Sequence, residues 1–409
     1  MTAAMTSAQR VAAAIGEMGD GPLTTEQIGS HIRPLFARVL QQASARIYLA
    51  NHSLGRPLDA MEDDVREGLA AWYGRMEEAW TNWRAEITAY RTRLATLLGT
   101  PAIDAVIPKT SAGQGLRAVL NTWDRPVRVV ATRGEFDSLD VILREYAQRG
   151  RATLQWVDAD ADGRFTTEAI LGAIAPGTDL VVLSPVMFQT GQRISEVAEI
   201  VRHAHGAGGL VLLDVYHTLG VVPLDMDALD ADFAVGGSYK YLRGGPGAAF
   251  LYVHPRHLAR GLRTLDTGWF AKEAPFDYVR PDPPRYAPGG DGWLESTPAV
   301  LPLYQARAGL VFAMAVGVER LRAYNLGLQR QLVELLDQRG ITARGGTEDH
   351  GAFTVVRHRS ARAWAVALGE QKVVADARGE WLRLCPDVLT SEAELVTAAD
   401  ALAGIAHGS

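Results

Sequence analysis

From Ala105 onward, short aliphatic runs alternate with stretches of helical character, and few folds accommodate that rhythm. The runs are Val127-Arg128-Val129-Val130, Leu180-Val181-Val182-Leu183, Leu210-Val211-Leu212-Leu213 and Phe233-Ala234-Val235, with Ser195 to Ala207 among the helical separators. Such alternation lays strands side by side in a parallel sheet covered by helices on both faces, an α/β architecture. Active groups in sheets of this kind gather at the carboxyl ends of the strands.

Two residues stand at such places. Asp214 closes the run Val211-Leu212-Leu213, and Lys240 follows Ala231 to Val235, ahead of the turn Gly244-Gly245-Pro246-Gly247 and the apolar run Ala248 to Val253. A lysine chosen at random is a solvated surface charge. At the end of a buried strand, desolvation instead lowers its pKa and makes the amine nucleophilic. An aspartate ending an aliphatic run is ordinarily a cap or turn former. Taken with the lysine it forms the pair a pyridoxal phosphate enzyme requires: an amine for the Schiff base and a carboxylate for the pyridinium nitrogen. His217, three residues past Asp214, by itself reads as structural rather than catalytic.

Other segments carry weaker signals. Thr110-Ser111-Ala112-Gly113 opens a helical stretch, where free N–H groups and the helix dipole favour phosphate, although a plain Ser/Thr cap has the same appearance. No Gly-Lys-Ser/Thr follows at P-loop spacing, which disfavours a nucleotide triphosphate enzyme. Asp158-Ala159-Asp160-Ala161-Asp162-Gly163 copies the opening of a calcium loop. The twelfth position is Ala169 instead of glutamate, so a polar turn is expected and no metal site.

Residues Leu58 to Leu98 read as long helices with Trp72, Met76, Trp80 and Trp83 on one face, a stripe typical of core or subunit interface. Prolines and glycines crowd between Ala274 and Gly292, a loop long enough to be a lid or an arm toward a neighbouring subunit. Tyr304 to Gly340 reads as a long helical region. A net charge of -6 without basic runs argues against nucleic acid, and the single cysteine, Cys385, excludes an intrachain disulfide. The longest apolar stretch, Ala308 to Val318, is too short for a membrane span, and Met1 to Gly21 lacks the pattern of a signal peptide. A soluble, cytoplasmic protein is expected.

With Asp214-x-x-His217, Tyr239-Lys240-Tyr241-Leu242 and Gly244-Gly245-Pro246-Gly247 in view, the chain resembles kynureninase, in the class V branch of fold-type I pyridoxal phosphate enzymes. The likeness runs from Tyr48-Leu49-Ala50-Asn51-His52-Ser53-Leu54-Gly55, similar to that family's Asn-Ser-Leu-Gly segment apart from His52, to Trp381-Leu382-Arg383-Leu384. It implies a fold-type I transferase fold with three parts: an N-terminal segment 1–60 on the small domain and active site, a large cofactor domain 61–300, and a small C-terminal α/β domain 301–409. The resemblance further implies that Lys240 holds the cofactor, Asp214 pairs with the pyridinium, His217 sits beside the ring and Phe136 stacks on it. Thr110, Ser111, Ser184 and Tyr239 surround the phosphate and cofactor edge. Trp269 and Thr297 match positions that the partner subunit of a homodimer supplies. Arg383 matches the arginine that clamps the substrate α-carboxylate, with Asn51 and Ser53 also at the substrate.

Departures from the family lie near the cofactor. Phe136-Asp137-Ser138-Leu139 stands where kynureninases commonly show Phe-Pro-Ser/Thr-Asp, and Gln189 precedes Thr190-Gly191 where an aromatic residue is frequent. The implied reaction is hydrolytic Cβ–Cγ cleavage of an amino acid side chain, releasing alanine. β-Elimination of a C–S bond, transamination and decarboxylating deamination of a specialised amino acid conjugate in secondary metabolism remain open beside it. So does a non-catalytic binding protein that kept the fold.

Overall fold

The computed structural model describes residues 5–43 and 45–408; the first residues of the N-terminal segment, Ser44 and the final serine lie outside it. The alternating runs form a seven-stranded sheet: β1 (Val106–Lys109), β2 (Val127–Thr132), β3 (Ala152–Val157), β4 (Leu180–Leu183), β5 (Leu210–Asp214), β6 (Phe233–Gly237) and β7 (Ala249–Val253), in spatial order β1-β7-β6-β5-β4-β2-β3. β7 runs antiparallel to both its neighbours, and the remaining pairs are parallel. The expected α/β architecture is therefore the one observed. Because side chains alternate along a strand, Val181, Leu183, Val211 and Leu213 enter one core while Leu180, Val182, Leu212 and Val235 enter another on the opposite face. Both faces are covered, which is why these strands are aliphatic throughout.

A second sheet, β8 (Thr354–Arg357), β9 (Asp376–Arg378) and β10 (Trp381–Leu384), is antiparallel in the order β9-β10-β8. The N-terminal chain is tied to this region through Ile47 and Tyr48, which pair in parallel with Val373 and Val374. It is also tied through Val11, Ile15, Phe36 and Leu58, which share a core with Phe312 and Leu389. Gly55 lies against the turn after β6: its N–H donates to the Tyr239 carbonyl at 2.9 Å, and a Cβ there would overlap the Lys240 carbonyl oxygen. Only glycine allows so close a backbone approach.

Two expectations are corrected, the end of the strand before Lys240 and the shared face of the aromatic stripe, and others gain their bounds. The strand before Lys240 runs to Gly237, not Val235, because Gly236 and Gly237 still pair with Phe250 and Ala249. The helical run 58–98 is two helices, α1 (Ala60–Arg75) and α2 (Ala79–Leu97), separated by a 3-10 turn that begins at Met76 with φ 49°. Met76 is exposed, so the stripe does not share one buried face; Trp83 packs edge-on to Trp72 across the break and to Trp80 within α2. Likewise the 304–340 region is α3 (Leu301–Val316) and α4 (Val318–Asp337), bent by 84° at Gly317, whose φ of 88° ends the first helix. The proline-rich loop is anchored by the fully buried Trp293, and none of its residues lines a cavity at Lys240. No single helix among the described residues is long and apolar enough to cross a membrane; α3 and α4 meet that measure only as the bent pair.

Candidate active site

Parallel strands deliver their last residues to one edge. Thr110 follows β1, Glu135 and Phe136 follow β2, Ser184 follows β4, Asp214 ends β5, and Lys240 lies three residues past β6. Thr110, Ser111, Gly113, Phe136, Tyr239 and Lys240 line one cleft with a volume of about 570 Å³.

Lys240 is buried, and its Nζ lies 2.7 Å from His217 Nε2. It also stands 5.1 Å from the centroids of both Phe136 and Tyr216. Burial brings its amine down to about 7, against the opposing pull of Asp214. Asp214 is buried too, and its Oδ1 accepts from the Tyr216 N–H at 3.0 Å; burial raises its carboxyl to about 6. His217 Nδ1 meets the Tyr241 hydroxyl at 3.0 Å, and burial, followed by the charges of Lys240 and Arg383, holds the imidazole well below its usual range. At neutral pH this is a neutral imidazole in contact with an amine that is partly deprotonated.

Phe136 meets the ring of Phe188 edge to face at 5.3 Å. The aromatic residue missing at Gln189 is thus present one position earlier. Leu139, in place of the family's acid, is fully buried in the helix that follows and faces the core. Ser184 Oγ donates to Glu135 Oε2 at 2.6 Å, its N–H reaches Oε1 at 3.2 Å, and Thr132 Oγ1 donates to Oε1 at 2.7 Å. Burial raises the Glu135 carboxyl to about 7, the hydrogen bonds only partly opposing it. Sequence reasoning passed over this residue; its position beside Phe136 at the end of β2 was the available signal.

Ser111 caps the helix Ala112–Leu120, its Oγ accepting from the Gln114 N–H at 3.2 Å, while the Thr110 N–H donates to Gln114 Oε1 at 2.8 Å. The N–H groups of Ala112 and Gly113 keep no acceptor within the helix. Trp269 Nε1 donates to Thr297 Oγ1 at 3.2 Å, and Thr297 lines a neighbouring recess with Thr110 and Glu295. The structure thus brings these two together without placing either in the Lys240 cleft of their own chain. Asp160 Oδ1 accepts from the N–H groups of Asp162 and Arg164, forming a polar turn.

Arg383 is buried, and the side-on edge of its guanidinium is engaged: Nε and Nη2 donate to the two oxygens of Asp376 at 2.7 and 2.5 Å, and Nη1 donates to the Phe188 carbonyl at 2.5 Å. One N–H on each terminal nitrogen remains. Asp376 also contacts His52 Nε2 at 2.7 Å and accepts from Ser53 Oγ at 3.3 Å. The His52 that departs from the family segment is thus part of the arginine's support. Asn51 Nδ2 donates to the Cys385 carbonyl at 3.0 Å.

These residues fit pyridoxal phosphate. A buried carboxylate with a single N–H partner suits a pyridinium, the helix start suits a phosphate, Phe136 provides a ring face, and the lysine amine lies within the same cleft. Fold and site together define a pyridoxal phosphate-dependent enzyme of fold type I. The chain belongs to the aminotransferase class V family, which it matches over residues 56–380. It is 32% identical over 366 residues to a kynureninase of Xanthomonas euvesicatoria pv. vesicatoria, covering 84% of this chain and 85% of that protein. An uncharacterized aminotransferase of Bacillus subtilis is 27% identical, with 84% and 91% covered. Solved structures with the same fold include a cysteine desulfurase of Thermococcus onnurineus NA1, with TM-score 0.77, 17% identity, and 90% and 96% covered. The cystine C–S lyase C-DES, in complex with cysteine persulfide, gives TM-score 0.80 at 20% identity, with 89% and 99% covered.

Proposed function

We propose that this enzyme cleaves the side chain of an α-amino acid carrying a large β-substituent, by kynureninase-like hydrolysis of the Cβ–Cγ bond with release of alanine. The observation that carries the reading is the contact of the Lys240 amine with His217, over Phe136 and within one edge of the sheet from Asp214. Pyridoxal phosphate, when bound, supplies an electron sink for charge developing at the substrate α-carbon.

The chain's own groups divide the remaining work. Lys240, with its amine near neutrality, binds the cofactor and then takes and returns the α-proton. His217 holds Nζ in place and, as a neutral imidazole fixed by Tyr241, accepts or donates a proton at Nε2. Asp214 keeps the ring nitrogen protonated. Arg383, held side-on by Asp376, offers its two remaining N–H groups to the α-carboxylate.

A second reading is β-elimination at a C–S bond: where kynureninases carry an acid this chain has Leu139, a fully buried residue that faces the core, so whatever that acid contributes to hydrolysis is absent here. A persulfide mechanism through Cys385 is disfavoured, since the thiol is buried, donates to the Ala352 carbonyl and has its pKa pushed up by burial. The family likeness also carries a homodimer in which Trp269 and Thr297 serve the second subunit's site, a matter for sedimentation analysis.

Purified protein is expected to be yellow, and Lys240→Ala to lose that absorbance; a wild type that stays colourless with added cofactor would overturn the proposal. Incubation with kynurenine and with a cysteine S-conjugate then separates the reactions. Alanine from the first supports hydrolysis, and pyruvate from the second supports elimination.

A further inference from the structure

Beyond Lys240, on the side facing the small domain, lies a second cavity of about 40 Å³, lined among others by Asn51, Lys240, Tyr241, Arg243, Asn325 and Asp387. A water needs roughly 10–15 Å³ of such space, so the cavity has room for about three water-sized groups, or one carboxylate.

The charges at and behind its wall do not balance: Arg243 and Asp387 line it, and Arg56 reaches Asp387 from outside the lining. Arg56 and Arg243 are both more than nine-tenths buried, and both turn to the single carboxylate of Asp387: Arg56 through Nη2 to Oδ1, Arg243 through Nη1 at 2.8 Å from Oδ2. The two guanidiniums hold Asp387 below the usual carboxylate range, although its burial opposes them. Arg322, also at the cavity, has its own acid in Glu348 at 2.9 Å, and Arg383 has Asp376. Cys385 is a buried thiol whose pKa burial raises, so it adds no negative charge. Among the described residues, Arg56 and Arg243 against Asp387 leave one positive charge unbalanced at this place.

Donors are left over as well. Among the described residues, Nε of Arg56 and Nε and Nη1 of Arg243 have no hydrogen-bond partner; the acceptors Oδ2 of Asp387 and Oδ1 of Asn51 also lack one. The rings of Phe36 and Phe312, with centroids 5.4 and 5.6 Å from Arg243 Cζ, offer cation–π contact. Those rings satisfy no N–H and cancel no charge. Removing an arginine from water in this way is costly unless a counter-ion shares the site.

We infer that the cavity at Arg243 is an anion subsite that takes a small carboxylate, and that this carboxylate is the distal acidic group on the β-substituent of the substrate or a free anion of the same size. The subsite rests on the proposed amino acid chemistry only for the first source. Lys240 lines this cavity and the cofactor cleft alike, so a substrate held at the lysine extends toward Arg243.

The test uses the holoenzyme at constant ionic strength, set by a sulfonate too bulky for the cavity. Acetate is expected to raise Tm by roughly 3 °C at saturation, while neutral, isosteric acetamide does not. Arg243→Met is expected to lose the acetate response and to melt no lower than wild type without acetate, since it leaves Arg56 and Asp387 as an even pair. If that variant fails to fold, the acetate and acetamide titrations of wild type decide alone. The source is read from the cofactor spectrum with S-(2-carboxyethyl)cysteine and its carboxamide. Perturbation by the acid, suppressed by acetate, assigns the subsite to substrate; an acetate response without it assigns a free anion. An absent or acetamide-equal Tm shift overturns the subsite. A protein without cofactor absorbance overturns the proposed function instead, and its acetate titration still reads the subsite.

Discussion

His217 Nε2 lies 2.7 Å from Lys240 Nζ, and the opposite ring nitrogen is 3.0 Å from the Tyr241 hydroxyl. The imidazole is therefore held at both ends between the reactive amine and a buried phenol from the residue next in sequence. His217→Ala is expected to lower kcat by about 10²-fold or more, the range for loss of a positioned proton-transfer group, while cofactor absorbance persists. Tyr241→Phe should cost less and shift the pH profile, since it frees the imidazole tautomer without removing the ring. Equal losses in kcat for both variants, with unchanged pH profiles, would argue for a purely packing role.

Glu135 makes stability depend on pH. Its folded-state pKa of about 7 lies above the ordinary 4.5, so the folded protein binds the proton more tightly than the unfolded chain. That contribution is fully present below the ordinary value and is lost as pH rises through the folded one. Asp214, raised to about 6, acts in the same direction. Glu135→Gln is therefore expected to match wild type below pH 4 to 5 and to exceed it above pH 7, by about 3 kcal/mol at most. Urea denaturation of cofactor-free protein across this range checks the crossover; a variant less stable at pH 8 contradicts it.

Asp376 orients Arg383 through a two-oxygen contact with its side-on edge. Asp376→Asn leaves a buried guanidinium without its counter-charge, so a stability loss of about 3 kcal/mol is expected. The kinetic signature should be a KM for the amino acid raised about tenfold or more, with kcat less affected. A KM at the wild-type value, in a variant that folds, would detach Arg383 from carboxylate binding.

Gly55 has no room for a side chain, because a Cβ there meets the backbone of Lys240 and Arg243. Gly55→Ala is expected to cost roughly 2 kcal/mol or more and to disturb the lysine that the overlap displaces. Thermal melting and cofactor affinity should fall together. Stability lost without any change in cofactor binding would place the strain away from Lys240.

Much of the site's frame was legible because it is local. Asp214 ends its own aliphatic strand, Lys240 follows its own, and Ser111 caps the helix it begins. The helix break at Met76 was not legible, since nothing in the Trp72 to Trp83 spacing announces a positive φ at a methionine. Nor was the role of Leu139, whose burial depends on which face of its helix meets the sheet. Glu135 sat beside a residue already singled out, but its raised carboxyl pKa comes from burial between β2 and β4.

Strand periodicity and the residues that close each strand determined the architecture and the cofactor, because hydrophobic alternation and the direction of a parallel sheet fix which side chains reach its carboxyl edge. The network of His52, Asp376 and Arg383, and the pairing of Arg56 and Arg243 on Asp387, were decided only in three dimensions. Their partners come from opposite ends of the chain, with His52 and Asp376 separated by 324 residues. Charge balance in a low-dielectric interior is a property of which groups are buried together, and no spacing along the sequence encodes it.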